Sequence, residues 1–142
     1  AYVVPSQTGN SGKYLTTNGT AASWGTVDLS TYAPLNLTLN AQTGTTYTFV
    51  LADNSKLVTA SNASAQTYSI PTNASVAFPV GTQINIIQIG AGQVTINAVT
   101  SGTTTVASTG TTAAAPKLRV QYSSATLIKV ATDTWYVVGD IS

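Results

Sequence analysis

Apolar and polar positions alternate with a period of two along much of this chain, and no long window shows the 3.6-residue period of an amphipathic helix. Residues 45–51 are β-branched and aromatic, then meet the turn cluster Asp53-Asn54-Ser55, and residues 56–60 read as the return strand. Residues 66–70 form a third segment stopped by Pro71, which cannot donate to a ladder. In residues 82–89 the alternation puts Ile84, Ile86 and Gln88 on one face. Gly90-Ala91-Gly92 then reads as a hairpin turn, and residues 93–98 return with Val94, Ile96 and Ala98 toward the core. Residues 117–122 alternate again after a Thr/Ser/Gly-rich stretch at 101–112. Strands at 125–131 and 134–138 follow, bounded by turns at Ser123-Ser124 and Thr132-Asp133. Turn signals every 8–12 residues or so predict an all-β fold, an antiparallel β-sandwich of jelly-roll-like form, with a barrel as the alternative. No repeat of about 20–50 residues is visible, and Asn62-Ala63-Ser64 and Asn73-Ala74-Ser75 read as two similar turns.

The first 44 residues differ. Residues 5–26 are rich in Gly, Asn, Ser and Thr, with Tyr14, Leu15 and Trp24 as isolated bulky side chains. That spacing predicts an extended N-terminal docking arm over residues 1–40, including a strand at 35–39, followed by a β-sandwich domain over 41–142.

Composition narrows the chemistry. A chain of 142 residues suits one domain and buries about 70% of its unfolded surface. Only 6% of residues are charged, His, Cys, Met and Glu are absent, and 26 positions are Thr. Without His there is no Ser-His-Asp triad, and without Cys there is no disulfide, thiol catalysis or thiolate zinc site. The net charge of +1 gives no basic footprint for nucleic acid. No apolar run reaches the roughly 20 residues of a membrane-spanning helix, and the N-terminus lacks the regions of a signal peptide. The expected partners include neither nucleic acid nor membrane. Hydrophobic residues make up 43% of the chain, enough for a packed core. An uncharged polar surface gives little protection against self-association, which suits a place within a large assembly.

The candidate reactive groups are few. The four acids are Asp28, Asp53, Asp133 and Asp140, and Asp53 and Asp133 fall in turns, where Asp commonly bonds its own backbone. A Thr nucleophile needs a base such as its own free amine, but the first residue is Ala1. Asp53-Asn54-Ser55 offers oxygens without the Glu that would complete a calcium loop. No catalytic, metal or cofactor-binding residue is expected, and no enzymatic activity. Lys117 and Arg119 share a strand face with Gln121, which reads as a solvated face or as a contact for an acidic partner. Trp135 and Tyr136 read as core or subunit-contact residues, with a sugar platform together with Trp24 as the less favoured alternative. Four N-x-S/T sequons, at Asn18, Asn36, Asn62 and Asn73, follow from the Asn- and Thr-rich composition.

The segment Val4-Pro5-Ser6-Gln7-Thr8-Gly9-Asn10-Ser11-Gly12-Lys13-Tyr14-Leu15-Thr16-Thr17-Asn18-Gly19-Thr20, closing with Ser23-Trp24, resembles a pattern recurrent in tailed-bacteriophage virion proteins, ahead of a β-rich region. Residues 78–85 with 90–95, and 121–129 with 135–140, are similar to the C-terminal β domain of the same tail-fibre-like proteins. The resemblance implies a virion structural protein on the particle surface. Tail fibres carry the pattern after a long shaft, whereas this sequence has none before it and begins at Ala1, as a short complete gene product or a cut fragment would. The implied role is a trimeric capsid decoration (cement) protein. Its arm, through Pro5, Tyr14, Leu15 and Trp24, would dock on the major capsid protein or other virion proteins, and Lys117, Arg119, Trp135 and Tyr136 would meet other copies or partners. The alternative is a tail-fibre or tail-tip module that contacts a host glycan or protein through loops such as 101–112. A glycan depolymerase, which would need an acid pair, is the least favoured class.

Overall fold

β-Branched and aromatic residues at alternate positions make strands the favoured local state, and strands dominate. The structure is a computed structural model that describes residues 3–26, 36–109 and 115–142. It divides into two units, Ala1–Asn36 and Leu37–Ser142.

In the first unit β1 (Tyr14–Thr17) and β2 (Ala22–Gly25) form an antiparallel hairpin with Leu15 opposite Trp24. The arm expected to be extended folds back here because Asn18 makes the turn. Its Oδ1 accepts the N–H groups of Thr20 at 3.0 Å and Ala21 at 2.9 Å, and Gly19 supplies φ +90°.

The second unit begins as a coil. Strands β3 (Thr38–Gln42), β5 (Lys56–Ala60) and β7 (Gln83–Gln88) lie side by side and parallel in a six-stranded sheet. Strands β4 (Thr46–Thr48), β6 (Gln66–Ile70) and β8 (Val94–Ala98) lie parallel in a three-stranded sheet. The chain therefore changes sheet at every step. Leu57 stands opposite Asn85 and Gln66 opposite Val94, an offset of 28 residues in both sheets. A structural repeat thus exists where the sequence shows none.

This overturns two expected hairpins. Residues 45–51 do not pair with 56–60, and β7 does not pair with β8 across Gly90-Ala91-Gly92. Residues 89–93 instead form a corner stacked on the corner at 61–65, where Gly92 N donates to Asn62 O at 2.9 Å. Neither Gly90 nor Gly92 has positive φ; each is needed for close approach. A Cβ on Gly90 would lie 2.3 Å from Asn62 O, and one on Gly92 would lie 1.8 Å from Ser64 O. Two buried glutamines satisfy the corner from inside. Gln66 Nε2 donates to Gly92 O at 3.1 Å, and Gln88 Oε1 accepts Val94 N–H at 3.0 Å.

The six-stranded sheet is completed by β9 (Thr105–Ser108), β10 (Ser124–Ala131) and β11 (Thr134–Gly139), in the order β3-β5-β7-β10-β11-β9. Here the expected antiparallel hairpin is present, with β10 paired to β11 on one side and to β7 on the other. β9, within a stretch read as loop, runs parallel to β11. The strand expected at 117–122 shrinks to bridges from Lys117 to Thr95 and from Leu118 to Ile141. Leu118 N–H reaches Val94 O at 2.9 Å, so this segment covers the outer edge of β8. Of the strand expected at 35–39, residue 35 lies outside the described residues, and β3 starts at Thr38.

The all-β expectation holds, while wholly antiparallel pairing gives way to parallel and mixed sheets. Both sheets feed one core that includes Val58, Ile84, Ile86 and Leu127 from the larger sheet and Tyr68, Ile70, Val94 and Ile96 from the smaller. The inward phase of β7 and β8 is the expected one: Ile84, Ile86, Gln88, Val94 and Ile96 are buried, and Ala98 packs against the core from its margin.

Candidate functional site

In the hairpin unit, Trp24 Nε1 donates to Pro5 O at 3.3 Å, and both residues are partly buried. This bond ties the segment before the hairpin to β2. Tyr14 and Leu15 are half exposed, and Val3, Val4, Leu15, Thr16, Thr17 and Ala22 line a shallow, largely apolar depression. Of the four expected docking residues, Tyr14 and Leu15 offer surface, while Pro5 and Trp24 hold the hairpin unit together.

The four expected contact residues separate. Lys117 and Arg119 are both exposed, with Leu118 buried between them, as the alternation requires. Arg119 is engaged within the chain, in an ion pair with Asp140, whose other oxygen accepts Ser123 Oγ at 2.7 Å. The Ser123 hydroxyl first, and the Arg119 guanidinium second, hold the Asp140 carboxyl below its usual range. Trp135 is 2% exposed and packs edge-on against Phe78 at 5.3 Å, so it belongs to the core of a single chain. Tyr136, next along β11, points the other way and is half exposed.

Tyr136 belongs to a larger feature. One row across the outer face of the six-stranded sheet runs Leu39, Leu57, Asn85, Thr126, Val138. The adjoining row places Tyr136 between Ile128 and Ala107. Neither row contains a charged residue. Leu39 is 64% exposed, and Val138 and Tyr136 are nearly half exposed. Sequence reasoning reached Tyr136 alone, because the strands that complete the face become neighbours only through the parallel coil.

The acids do not gather. Asp28 lies outside the described residues. Asp53 is fully buried, where it accepts Asn40 Nδ2 at 2.7 Å, Tyr47 Oη at 2.8 Å and its own turn's Val50 N–H at 2.9 Å. It fastens β3, β4 and the 3-10 turn Leu51–Asp53 together. The Tyr47 hydroxyl is pushed up to about 12 by burial and then by its bond to Asp53. Burial does the same to buried Tyr68, also to about 12. Asp133 bonds distant groups rather than its own turn: Asn73 N–H at 2.6 Å and Thr104 Oγ1 at 3.2 Å. Among the described residues no three acids, His or Cys come close enough to hold a metal.

A second polar cluster escaped the sequence reading. Lys129 continues the inward series Ala125, Leu127 on β10 and is 2% exposed. Its Nζ donates to Asn73 Oδ1 at 2.5 Å and to Phe78 O at 2.7 Å. Alternation along residues 125–131 signalled a lysine at a core position, but nothing local named its partner, 56 residues away. No family model matches the chain, nor does any curated protein or solved structure.

Proposed function

We propose that this chain is a structural protein of a tailed-bacteriophage particle, a trimeric decoration protein on the capsid exterior that acts by packing on other proteins. One observation carries the reading: the six-stranded sheet leaves open an outer face without charge in its central rows, with Leu39, Tyr136 and Val138 exposed. Exposed apolar patches of this kind mark protein–protein contact, and desolvating them costs little because no charge must be stripped of water. We assign this face to contacts between copies, and the hairpin unit, through Tyr14 and Leu15, to docking on the major capsid protein. Each of those side chains contributes roughly 1.5–3 kcal/mol when fully buried, and three linked copies multiply a modest single affinity. The two sheets around one core are sandwich-like in this reading, while the parallel coil argues against jelly-roll connectivity.

The test is copy number per purified particle, measured against the major capsid protein, together with sedimentation of the isolated chain. Decoration requires hundreds of copies and a trimer that Val138→Lys dissociates. A few copies per particle would place the protein on the tail and make host binding its role. A monomer at all concentrations would remove the sheet face from the proposal.

A further inference from the structure

A lysine on the inward face of a strand brings a charge into the core, which is costly unless a counter-ion accompanies it. Among the described residues Lys129 has none within ion-pairing distance: the ion pair there is Arg119–Asp140, and Lys129 Nζ meets two neutral oxygens. The amine is also covered, although Asn73 is only partly buried. Phe78 is 3% and Trp135 2% exposed, their rings are in edge contact, and Trp135 is the cross-strand neighbour of Lys129. Asn73 is anchored at its backbone, where Asp133 Oδ1 takes its N–H at 2.6 Å.

We propose that Lys129 and Asn73 become joined by an isopeptide bond, formed by the folded chain on itself. With Oδ1 at 2.5 Å from Nζ and a C=O bond of about 1.23 Å, Asn73 Cγ lies no further than about 3.7 Å from Nζ. Reacting atoms in near-attack geometry are about 3–3.5 Å apart. Nζ attacks Cγ. The Nζ–Cγ bond forms, the Cγ–Nδ2 bond breaks, and two protons of the Lys129 ammonium pass to Nδ2, which leaves as ammonium and carries the charge with it. The atoms balance without oxidant or co-reactant. The product is a neutral secondary amide, so the reaction removes the buried charge, and the remaining N–H can keep the Phe78 carbonyl as its acceptor. The bond ties the loop after β6 to β10 and closes a long loop covalently in a chain without cysteine.

The experiment is mass spectrometry of the full-length, denatured chain, intact and after trypsin. The expected intact mass is lower than the sequence mass by one ammonia. The expected digest contains residues 57–117 joined to residues 120–142, with no cleavage after Lys129. Lys129→Arg should restore the full sequence mass. The full mass in the unaltered chain would overturn the proposal. So would an ammonia deficit accompanied by a free 120–129 peptide, since the loss would then lie elsewhere. Neither reading depends on whether the variant folds.

Discussion

The coil of β3 to β8 and the β9–β11 region bury side chains by the same rule and choose their neighbours by opposite ones. In both, every second residue turns inward: Ile84 and Ile86 on β7, Leu127 and Lys129 on β10. In β10 and β11 the strand next in sequence is the strand next in the sheet. In the coil the next strand in sequence belongs to the other sheet, and the ladder partner comes a full circuit later. Period-two burial therefore reports which face is covered, and it is silent about parallel or antiparallel pairing. The stacked glycine corner supports the coil, whereas a local turn with Asp133 at φ +53° supports the hairpin.

The coil is most vulnerable at its glycine corner. Gly92→Ala should cost more than about 4 kcal/mol in denaturant unfolding, because the new Cβ meets backbone rather than a movable side chain. A loss below about 1 kcal/mol would mean that the corners do not stack as described. In the other region, Trp135→Ala should cost about 3–5 kcal/mol by emptying the space against Phe78. A smaller effect is expected from Asp53→Ala, about 2–3 kcal/mol, since it strands the donors of Asn40, Tyr47 and Val50 at the start of the coil. Thermal unfolding of this variant at neutral pH measures it.

The mildest perturbation is alkaline pH, and it acts on the coil. Tyr47 and Tyr68 ionise near 10 when unfolded and at about 12 in the fold. Their raised values leave stability unaffected below pH 10. Above pH 10 the unfolded chain releases these protons first, so stability falls progressively until about pH 12. Following tyrosinate absorbance and unfolding midpoint together should show two late-titrating hydroxyls and a midpoint that drops over that interval. Early titration of both, with no drop, would mean that the aromatic cluster of Tyr47, Phe49 and Tyr68 is open to solvent.

The site residues divide along the same line. Lys117, Arg119 and Tyr136 were legible because exposure follows from strand phase, which local sequence carries. Trp135 was less so: phase places it inward, but its packing partner Phe78 arrives from a distant loop. The bonds of Asp133 to Asn73 and of Lys129 to Asn73 span 60 and 56 residues, and no spacing rule connects such positions. The hairpin at β1–β2 was missed for a different reason. Its strands are short and lack alternation, so the Asn18-Gly19 turn was the one local signal.

Composition and alternation by themselves determined that this chain is all-β, that Ile84, Ile86, Val94 and Ile96 face a core, and that residues 125–138 form a hairpin. These depend on side-chain burial and on turns spanning a few residues. Tertiary structure alone decided the parallel coil, the uncharged sheet face and the meeting of Lys129 with Asn73. Each of these requires strands far apart in the chain to stack, and the backbone hydrogen bonds that stack them are nearly the same for every sequence.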